Sequence, residues 1–171
     1  MPSDDALSEA DRCYAAAMRI LNYRWNGRAE LRRKLARKPF EPEVIDGTLD
    51  RLTGEGWLDD ERFAAAFVRD RARKRIGRRR IVAELKSTGL GDDEARRAVE
   101  QNVDKESEER ELRALCQKKM RIMARRDGPE FPGSDEGRNK LLMYLLSHGY
   151  EMTASRDAVR ECIRSAAGGD E

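Results

Sequence analysis

Two clusters of basic side chains are the residues in this sequence best suited to chemistry, and that chemistry is the binding of anions. The run from Arg62 to Lys86 holds ten basic residues and only two acids, Asp70 and Glu84, a local balance of +8. A second run, from Arg24 to Lys38, has Glu30 as its one acid. Like charges three or four residues apart on a helix repel each other, and a bound anion relieves that repulsion. The anion is either a nucleic-acid backbone or an acidic protein surface. The alternative is that both clusters are simply the solvent-exposed faces of helices and bind no partner.

Eight basic residues in these clusters are predicted to contact the anionic partner. Successive residues of a helix turn by about a hundred degrees, so Arg78, Arg79 and Arg80 do not share one face. We expect Arg79 and Arg80 to be exposed and Arg78 to be partly structural at the start of its helix. No aromatic platform or recognition-helix pattern is evident beside the clusters, so sequence-specific reading of bases is not expected. The predicted contact residues are Arg32, Arg33, Arg69, Arg73, Arg75, Arg79, Arg80 and Lys86.

The residues that an enzyme needs are not evident in the sequence. The single histidine, His148, is predicted to lie in the last turn of a helix, where a partly cationic ring suits the negative end of the helix dipole. Neither a glycine-rich phosphate loop nor a two-histidine metal motif is present. The acidic pairs 59–60 and 92–93 each precede a helical pattern, where capping explains them more simply than magnesium binding. We therefore predict no catalytic residue, no cofactor and no metal.

The composition of the 171-residue chain indicates an all-α protein. Charged residues make up 40% and aromatic residues 6%, which is typical of exposed amphipathic helices rather than of a compact sheet. Three widely spaced cysteines, Cys13, Cys116 and Cys162, indicate neither a disulfide framework nor a zinc site, and we expect them to be small core residues. No apolar run approaches the roughly 20 residues that span a bilayer, and no signal-peptide pattern is seen. These features predict a soluble cytoplasmic protein.

The apolar pattern places the central basic cluster on two helices. The first helix is expected to begin near Asp59, whose side chain suits a cap. The pattern breaks at Gly77 and resumes in a second helix that ends near Gly89. Trp25 and Trp57 are interpreted as junction residues that pack between helices rather than as stacking platforms for bases. The residues predicted to hold these helices together are Trp57, Phe63, Phe67, Gly77, Ile81 and Leu85.

The helical pattern repeats three times along the chain. An interval of 50 residues aligns Gly27 with Gly77, and a further 60 residues aligns Gly77 with Gly137, with apolar residues in register. A three-helix unit this small buries its faces only against neighbouring units. The extra ten residues of the third unit precede Gly137, where 127–133 is predicted to be an inserted loop. The sequence thus predicts three tandem three-helix repeats in an elongated, curved helical array. The repeats are 1–56 with a frayed N-terminus, 57–103, and 104–171 with a disordered tail.

A sequence motif of spaced residues extends from Gly56 to Leu90. It comprises Gly56-Trp57-Leu58-Asp59-Asp60, Phe63-Ala64, Phe67-Val68 and Arg71, then Gly77, Ile81, Glu84-Leu85 and Gly89-Leu90. This set closely resembles the signature of the RecX family, small bacterial proteins that modulate the recombinase RecA. The resemblance implies a non-enzymatic regulator of recombination and DNA repair. Such a regulator binds RecA in the groove of its filament on single-stranded DNA and suppresses ATP hydrolysis, strand exchange and filament growth.

Two hypotheses about function stay open at this point. In the first, a monomer of this protein binds the RecA filament through its basic side and touches single-stranded DNA as a second, non-specific partner. In the second, the protein binds nucleic acid by itself, and any effect on RecA is competition for DNA. The order of addition distinguishes them, because a competitor loses its effect on filaments that have already formed.

Overall fold

The computed structural model describes residues 8–167 of the chain. Within this range the chain forms nine α-helices and one short 3₁₀ turn, and no strand. The predicted all-α class is therefore confirmed, and the order of the helices supplies three for each predicted repeat. The expected frayed and disordered ends, 1–6 and 168–171, lie outside the described residues. The helices are α1 (Glu9–Tyr23), α2 (Arg28–Leu35), α3 (Pro42–Gly54), α4 (Asp60–Arg73), α5 (Arg78–Thr88), α6 (Asp92–Asn102), α7 (Lys105–Asp127), α8 (Asp135–Ser147) and α9 (Met152–Ala167), with the 3₁₀ turn at Phe131–Gly133.

Short polar side chains start several of these helices. The Ser8 hydroxyl accepts from the Asp11 N–H at 3.2 Å, and the Asp104 carboxylate accepts from the Ser107 N–H at 2.8 Å. Asp59 accepts from the Arg62 N–H at 2.9 Å, which confirms the predicted start of α4. Each bond satisfies a backbone donor that has no partner inside its own helix.

The contacts between residues divide the chain into two compact units. The first compact unit comprises residues up to Phe67 together with Leu85–Ala95. Its core is built mainly from α1, α2 and α3, and four of its leucines have no exposed surface because they sit at helical spacing on faces that meet. The buried apolar residues of this core are Cys13, Ala16, Ala17, Leu31, Leu35, Ile45, Leu49, Leu52 and Leu58.

The second compact unit comprises Val68–Glu84 and the chain from Arg96 onward. The long helix α7 packs there against α8 and α9. Cys116 and Cys162 are buried in its core, as Cys13 is in the other, and all three are free thiols, which confirms their predicted role as core residues. The core residues of this unit are Leu112, Leu115, Cys116, Met123, Leu141, Leu145, Tyr150, Ala158, Val159 and Cys162.

The second helix of a predicted repeat is capped from the first helix of the next repeat. In the first compact unit the Arg28 N–H donates to Oδ1 of Asp60 at 2.8 Å. In the second, the Arg78 N–H donates to Oε1 of Glu108 at 3.0 Å, and Nε of Arg78 lies 2.6 Å from Oε2 of the same carboxylate. A glycine precedes each arginine and brings no side chain that could act as the cap. The structural role predicted for Arg78 is therefore confirmed.

The turn after α8 packs directly on the start of α5. The Gly77 N–H donates to the carbonyl of His148 at 2.8 Å, and the Arg79 N–H donates to the carbonyl of Gly149 at 3.1 Å. A Cβ atom on Gly77 would lie 2.5 Å from both the carbonyl carbon and oxygen of Gly149. Gly149 has a φ of 89°, which glycine adopts without strain. Only glycine therefore fits at residue 77.

The insertion in the predicted third repeat is a packed turn rather than a plain loop. Pro132 is buried in the 3₁₀ turn, and Ser134 caps α8 by accepting from the Gly137 N–H at 3.0 Å. The repeat alignment placed Gly137 at the start of its helix, but α8 begins two residues earlier, at Asp135. The difference arises because Ser134, the residue before α8, provides a local side-chain cap, whereas the glycines before α2 and α5 bring no side chain. Gly137 instead lies where a Cβ would meet the carbonyl oxygen of Phe131.

Candidate interface for an anionic partner

Three of the predicted contact residues lie in the first compact unit, and each has a partner within it. Arg32 forms a two-pronged ion pair with Asp46, with Nε to Oδ1 at 2.7 Å and Nη2 to Oδ2 at 3.0 Å. These hydrogen bonds lower the pKa of the Asp46 carboxyl and raise the pKa of Arg32. Lys86 lies 2.6 Å from Asp92. The guanidinium of Arg33 donates to the carbonyl oxygens of Ser87 and Thr88, at 3.2 and 2.9 Å, and thereby satisfies the last turn of α5.

Arg75 and Arg80 in the second compact unit are also held by internal contacts. Nε of Arg75 lies 2.6 Å from Glu111, and this arginine has a φ of 58°, a left-handed backbone that non-glycine residues adopt rarely. Arg80 lies 2.8 Å from Glu84 and donates to the carbonyl of Ser147 at 3.2 Å. The two residues are therefore part of the architecture around the start of α5, whether or not they also touch a partner.

Arg69, Arg73 and Arg79 are the predicted contact residues with the greatest freedom to bind an anion. Arg73 has 78% of its side chain exposed, and its nearest carboxylate is Asp70 at 3.7 Å. Arg79 is 61% exposed and lies 3.8 Å from Glu151, which is itself 64% exposed. Arg69 is exposed and contacts an amide oxygen, that of Asn102, at 3.2 Å. Such long, solvated ion pairs contribute little, so an incoming anion displaces them readily.

Asp70, the one acid on α4 beyond its first turn, neutralises several of its basic neighbours. Lys74 lies 2.8 Å from Asp70, and Arg71 lies 2.9 Å from it. The hydrogen bond from Lys74, with the nearby arginines, lowers the pKa of the Asp70 carboxyl. The sequence suggested that acids are nearly lacking around the basic clusters. Folding changes this picture, because Asp46, Glu111 and Glu151 are brought to the arginines from distant segments.

The two tryptophans lie differently from the junction role predicted for them. Trp25 and Trp57 each have 51% of their surface exposed. The guanidinium carbon of Arg62 lies 5.2 Å from the centre of the Trp25 ring, within the range of a cation–π contact. Leu58, the residue after Trp57, is only 3% exposed and fills the core in its place. The reason is that the Trp57 and Leu58 N–H groups both donate to the carbonyl of Leu52, which fixes the turn with Leu58 pointing inward.

The structure also shows an aromatic residue beside basic residues, which the sequence had not indicated. Tyr23, at the end of α1, is 89% exposed. It lines a cavity of about 340 Å³ with Arg19, Lys34 and Lys38. The expectation that no aromatic platform accompanies the basic clusters is therefore wrong. The four-residue spacing of Arg19 and Tyr23 on one helix face was the available signal.

The structure gives the burial of four of the other residues predicted to be structural. Phe63 is 4% exposed, and its ring centroid lies 6.0 Å from that of Phe67. Ile81 and Leu85 have no exposed surface. Gly77 is buried at the backbone contact with Gly149.

His148 lies at the end of α8, as predicted. Its Nδ1 is 2.8 Å from the carbonyl oxygen of Tyr144, and the two rings pack with centroids 4.4 Å apart. Over the part of the chain that the structure describes, no three His, Cys, Asp or Glu side chains are grouped as a metal site would need. None of the helices in that same part is long and apolar enough to cross a bilayer.

Tyr150 gives the second compact unit a predicted sensitivity to high pH. Burial, with the nearby Glu108 and Glu111 carboxylates, raises the pKa of Tyr150 from 10.0 to about 12. The phenol is then protonated in the folded chain at a pH where it ionises in the unfolded chain. Its contribution is present below about pH 10 and is lost as the pH rises to about 12.

We therefore expect the native chain to lose about 2 kcal/mol more stability than Tyr150→Phe between about pH 9.5 and pH 12. Urea unfolding followed by circular dichroism at the two pH values measures this difference. Other groups titrate in both proteins and cancel in the comparison. Equal losses in both proteins would show that Tyr150 ionises normally in the fold.

Comparison with known proteins gives consistent matches along the chain. Two family models match, "RecX, first three-helix domain" over residues 13–52 and "RecX, second three-helix domain" over residues 59–99. The chain is 37% identical over 144 residues to the regulatory protein RecX of Xanthomonas oryzae pv. oryzae (strain MAFF 311018), covering 84% of each chain. It is 36% identical over 137 residues to the regulatory protein RecX of Pseudomonas fluorescens (strain Pf-5), covering 80% of this chain and 82% of that one. The crystal structure of RecX from Lactobacillus salivarius has a similar fold, with a TM-score of 0.75, 22% identity and coverage of 93% of this chain and 97% of that one.

Proposed function

Because the chain belongs to the RecX family, we propose that it is a non-enzymatic regulator of the RecA recombinase. It binds RecA or the RecA filament on single-stranded DNA and inhibits ATP hydrolysis, strand exchange and filament extension. It acts in the cytoplasm, as a monomer, during homologous recombination, DNA repair and the SOS response. The names of the relatives support the regulatory class, and the family resemblance of the segment around Gly77 supports the proposed action on RecA.

One observation carries the proposed mode of binding. Arg69, Arg73 and Arg79 belong to the same compact unit and are exposed. Among residues 8–167, their polar contacts are one with an amide oxygen and two ion pairs longer than 3.5 Å. A partner that offers carboxylates or phosphates can form charge-assisted hydrogen bonds with all three arginines, and the protein loses few of its own contacts when it does so. The buried residues of α4 and α5 set the positions of these arginines before the partner arrives, which lowers the entropic cost of binding.

The predicted division into repeats is part of this proposal. Repeat one is 1–56, repeat two is 57–103, and repeat three is 104–171. The two family models fall within the first two of these segments. The basic contact residues fall in the same two segments, and we assign the RecA-directed surface to them.

A second candidate function is autonomous binding of single-stranded DNA without sequence preference. The exposed Tyr23 ring beside Arg19, Lys34 and Lys38 favours it, because a flat ring stacks on any base while the cations hold phosphates. In this case inhibition of RecA follows from competition for DNA. The cavity lies in the first compact unit, so variants of Tyr23 test this candidate without touching Arg69, Arg73 or Arg79.

The deciding experiment measures RecA ATP hydrolysis on single-stranded DNA, with the protein added to filaments already assembled, at low and at high salt. We expect the rate to fall at protein concentrations well below that of the DNA binding sites, and Tyr23→Ala to keep this effect. A fall only near DNA saturation, with steep recovery at high salt and loss of the effect in Tyr23→Ala, would instead establish DNA competition.

A further inference from the structure

A groove between α8 and α9 is a strongly cationic surface that the proposed function does not use. It has a volume of about 380 Å³. Its floor is aliphatic and is formed by Leu142, Val159 and Ile163. Four arginines form its rim, Arg138 on α8 and Arg156, Arg160 and Arg164 on α9. The groove therefore combines apolar surface with concentrated positive charge.

The carboxylates of residues 8–167 neutralise the rim arginines poorly. Arg160 lies 3.5 Å from Asp157, and both side chains are at least 70% exposed. Arg138 lies 3.9 Å from Asp135, whose side chain is fully exposed. Exposed pairs of this length contribute little. Arg156 and Arg164 form no ion pair with any residue in the described part of the chain.

Repeat one shows what neutralises the matching surface there. The repeat alignment places Arg28 on Arg138, Asp46 on Arg156 and Asp50 on Arg160. In repeat one, Arg28 lies 2.6 Å from Asp50, and Arg32 is paired with Asp46 on two atoms. Repeat one thus supplies its own carboxylates from α3 to the arginines of α2.

Repeat three lacks this internal neutralisation. Both aspartates are replaced by arginines, and Leu142 stands at the position of Arg32. Leu142 and Ile163 are half-buried where they line the groove, whereas Val159 beneath them is only 6% exposed. The sign of the charge at the two aligned positions of the third helix is reversed. Like charges four residues apart on α9 repel one another until an anion binds.

We propose that this groove is the docking site of an acidic amphipathic helix presented by a protein partner. Aliphatic side chains of that helix cover Leu142, Val159 and Ile163, and its carboxylates pair with the rim arginines as Asp46 pairs with Arg32. Residues 156, 160 and 164 rise by about 6 Å at each step along α9. Carboxylates at four-residue spacing on a partner helix that lies along the groove rise by the same distance at each step, so they match the spacing of the arginines.

The floor distinguishes this occupant from nucleic acid. No aromatic ring lines the groove among the residues that the structure describes. Bases without rings to stack on gain little from a narrow aliphatic floor, whereas leucine or isoleucine side chains bury well there. The inference is independent of the action on RecA, since the residues of the groove belong to repeat three and the assigned RecA-directed surface does not.

The probe for this site is a fluorescein-labelled designed peptide of about 18 residues, with a leucine stripe flanked by glutamates at four-residue spacing. Fluorescence anisotropy measures its affinity for the full-length protein. The variant is Arg156→Asp/Arg160→Asp, which places aspartate at both positions, as repeat one has at the aligned positions. We expect this variant to weaken peptide binding at least tenfold while circular dichroism and thermal unfolding stay native.

The matched control is Arg121→Asp/Arg125→Asp, the same change at the same spacing on exposed residues of α7. We expect it to keep peptide binding within about twofold. A second peptide with lysine at each glutamate should not bind. The proposal is overturned if the acidic peptide does not bind the native protein, or if both double variants weaken it equally. It is also overturned if a labelled oligothymidylate binds and loses affinity in the groove variant while the peptide is unaffected.

Discussion

Gly77→Ala is expected to lower the free energy of unfolding by about 3 kcal/mol. The new methyl group would lie 2.5 Å from the carbonyl carbon and oxygen of Gly149 and 2.6 Å from the nitrogen of Tyr150. All three are backbone atoms, which do not swing aside as a flexible side chain does. The turn after α8 must therefore move as a whole, and the Gly77 hydrogen bond to His148 is stretched or lost.

Thermal unfolding measures this loss, and we expect the midpoint to fall by about 6–12 °C. Gly47→Ala is the matched control, because Gly47 lies in the middle of α3 and has no atom within 4 Å of the site of a Cβ. Alanine has the higher helix propensity, so this change should raise stability by up to about 1 kcal/mol. Equal midpoints for the two variants would mean that the start of α5 and the turn after α8 are not in contact in solution.

Reversing the charge of Arg69, Arg73 and Arg79 together is expected to weaken inhibition of RecA ATP hydrolysis at least tenfold. Each change to glutamate removes a favourable contact with an anionic partner and introduces a repulsive one. Helicity and stability should change little, since the arginines are exposed and their internal contacts are long. The measurement is the protein concentration that halves the rate on preformed filaments.

The control for this variant is the reversal of three exposed arginines on α7, Arg110, Arg121 and Arg125. It changes the net charge by the same amount, so it reports any effect that depends on charge alone. We expect the control to leave the proposed inhibition of RecA unchanged. Full activity in the first triple variant, or equal loss in both, would reject the assigned surface.

The buried apolar positions of the helices could be predicted from sequence because they depend on the spacing of residues within one helix. Leu31 and Leu35, like Ile81 and Leu85, stand four residues apart and are fully buried. Caps such as Asp59 follow equally local rules. Gly137 was placed at the start of its helix instead of inside the first turn, because the alignment took no account of the cap that Ser134 provides.

The electrostatic environment of the candidate site could not be predicted in the same way. Arg75 pairs with Glu111 and Arg79 lies near Glu151, and neither acid is close along the chain. A count of charges within a segment misses partners that only folding brings near. Apolar residues are also difficult to place from sequence alone, as Trp57 shows. The buried position at this junction suits either Trp57 or Leu58, and the backbone hydrogen bonds of the turn determine that Leu58 is buried.

The caps that pass from one repeat to the next also bear on synthesis of the chain. The N–H of Arg28 depends on Asp60, and that of Arg78 depends on Glu108, so each helix start is completed by a residue made about 30 positions later. A nascent chain that ends before Asp60 holds α2 with its first turn unsatisfied. Completion of these two helix starts is therefore expected to trail elongation by about two helices, because α4 caps α2 and α7 caps α5.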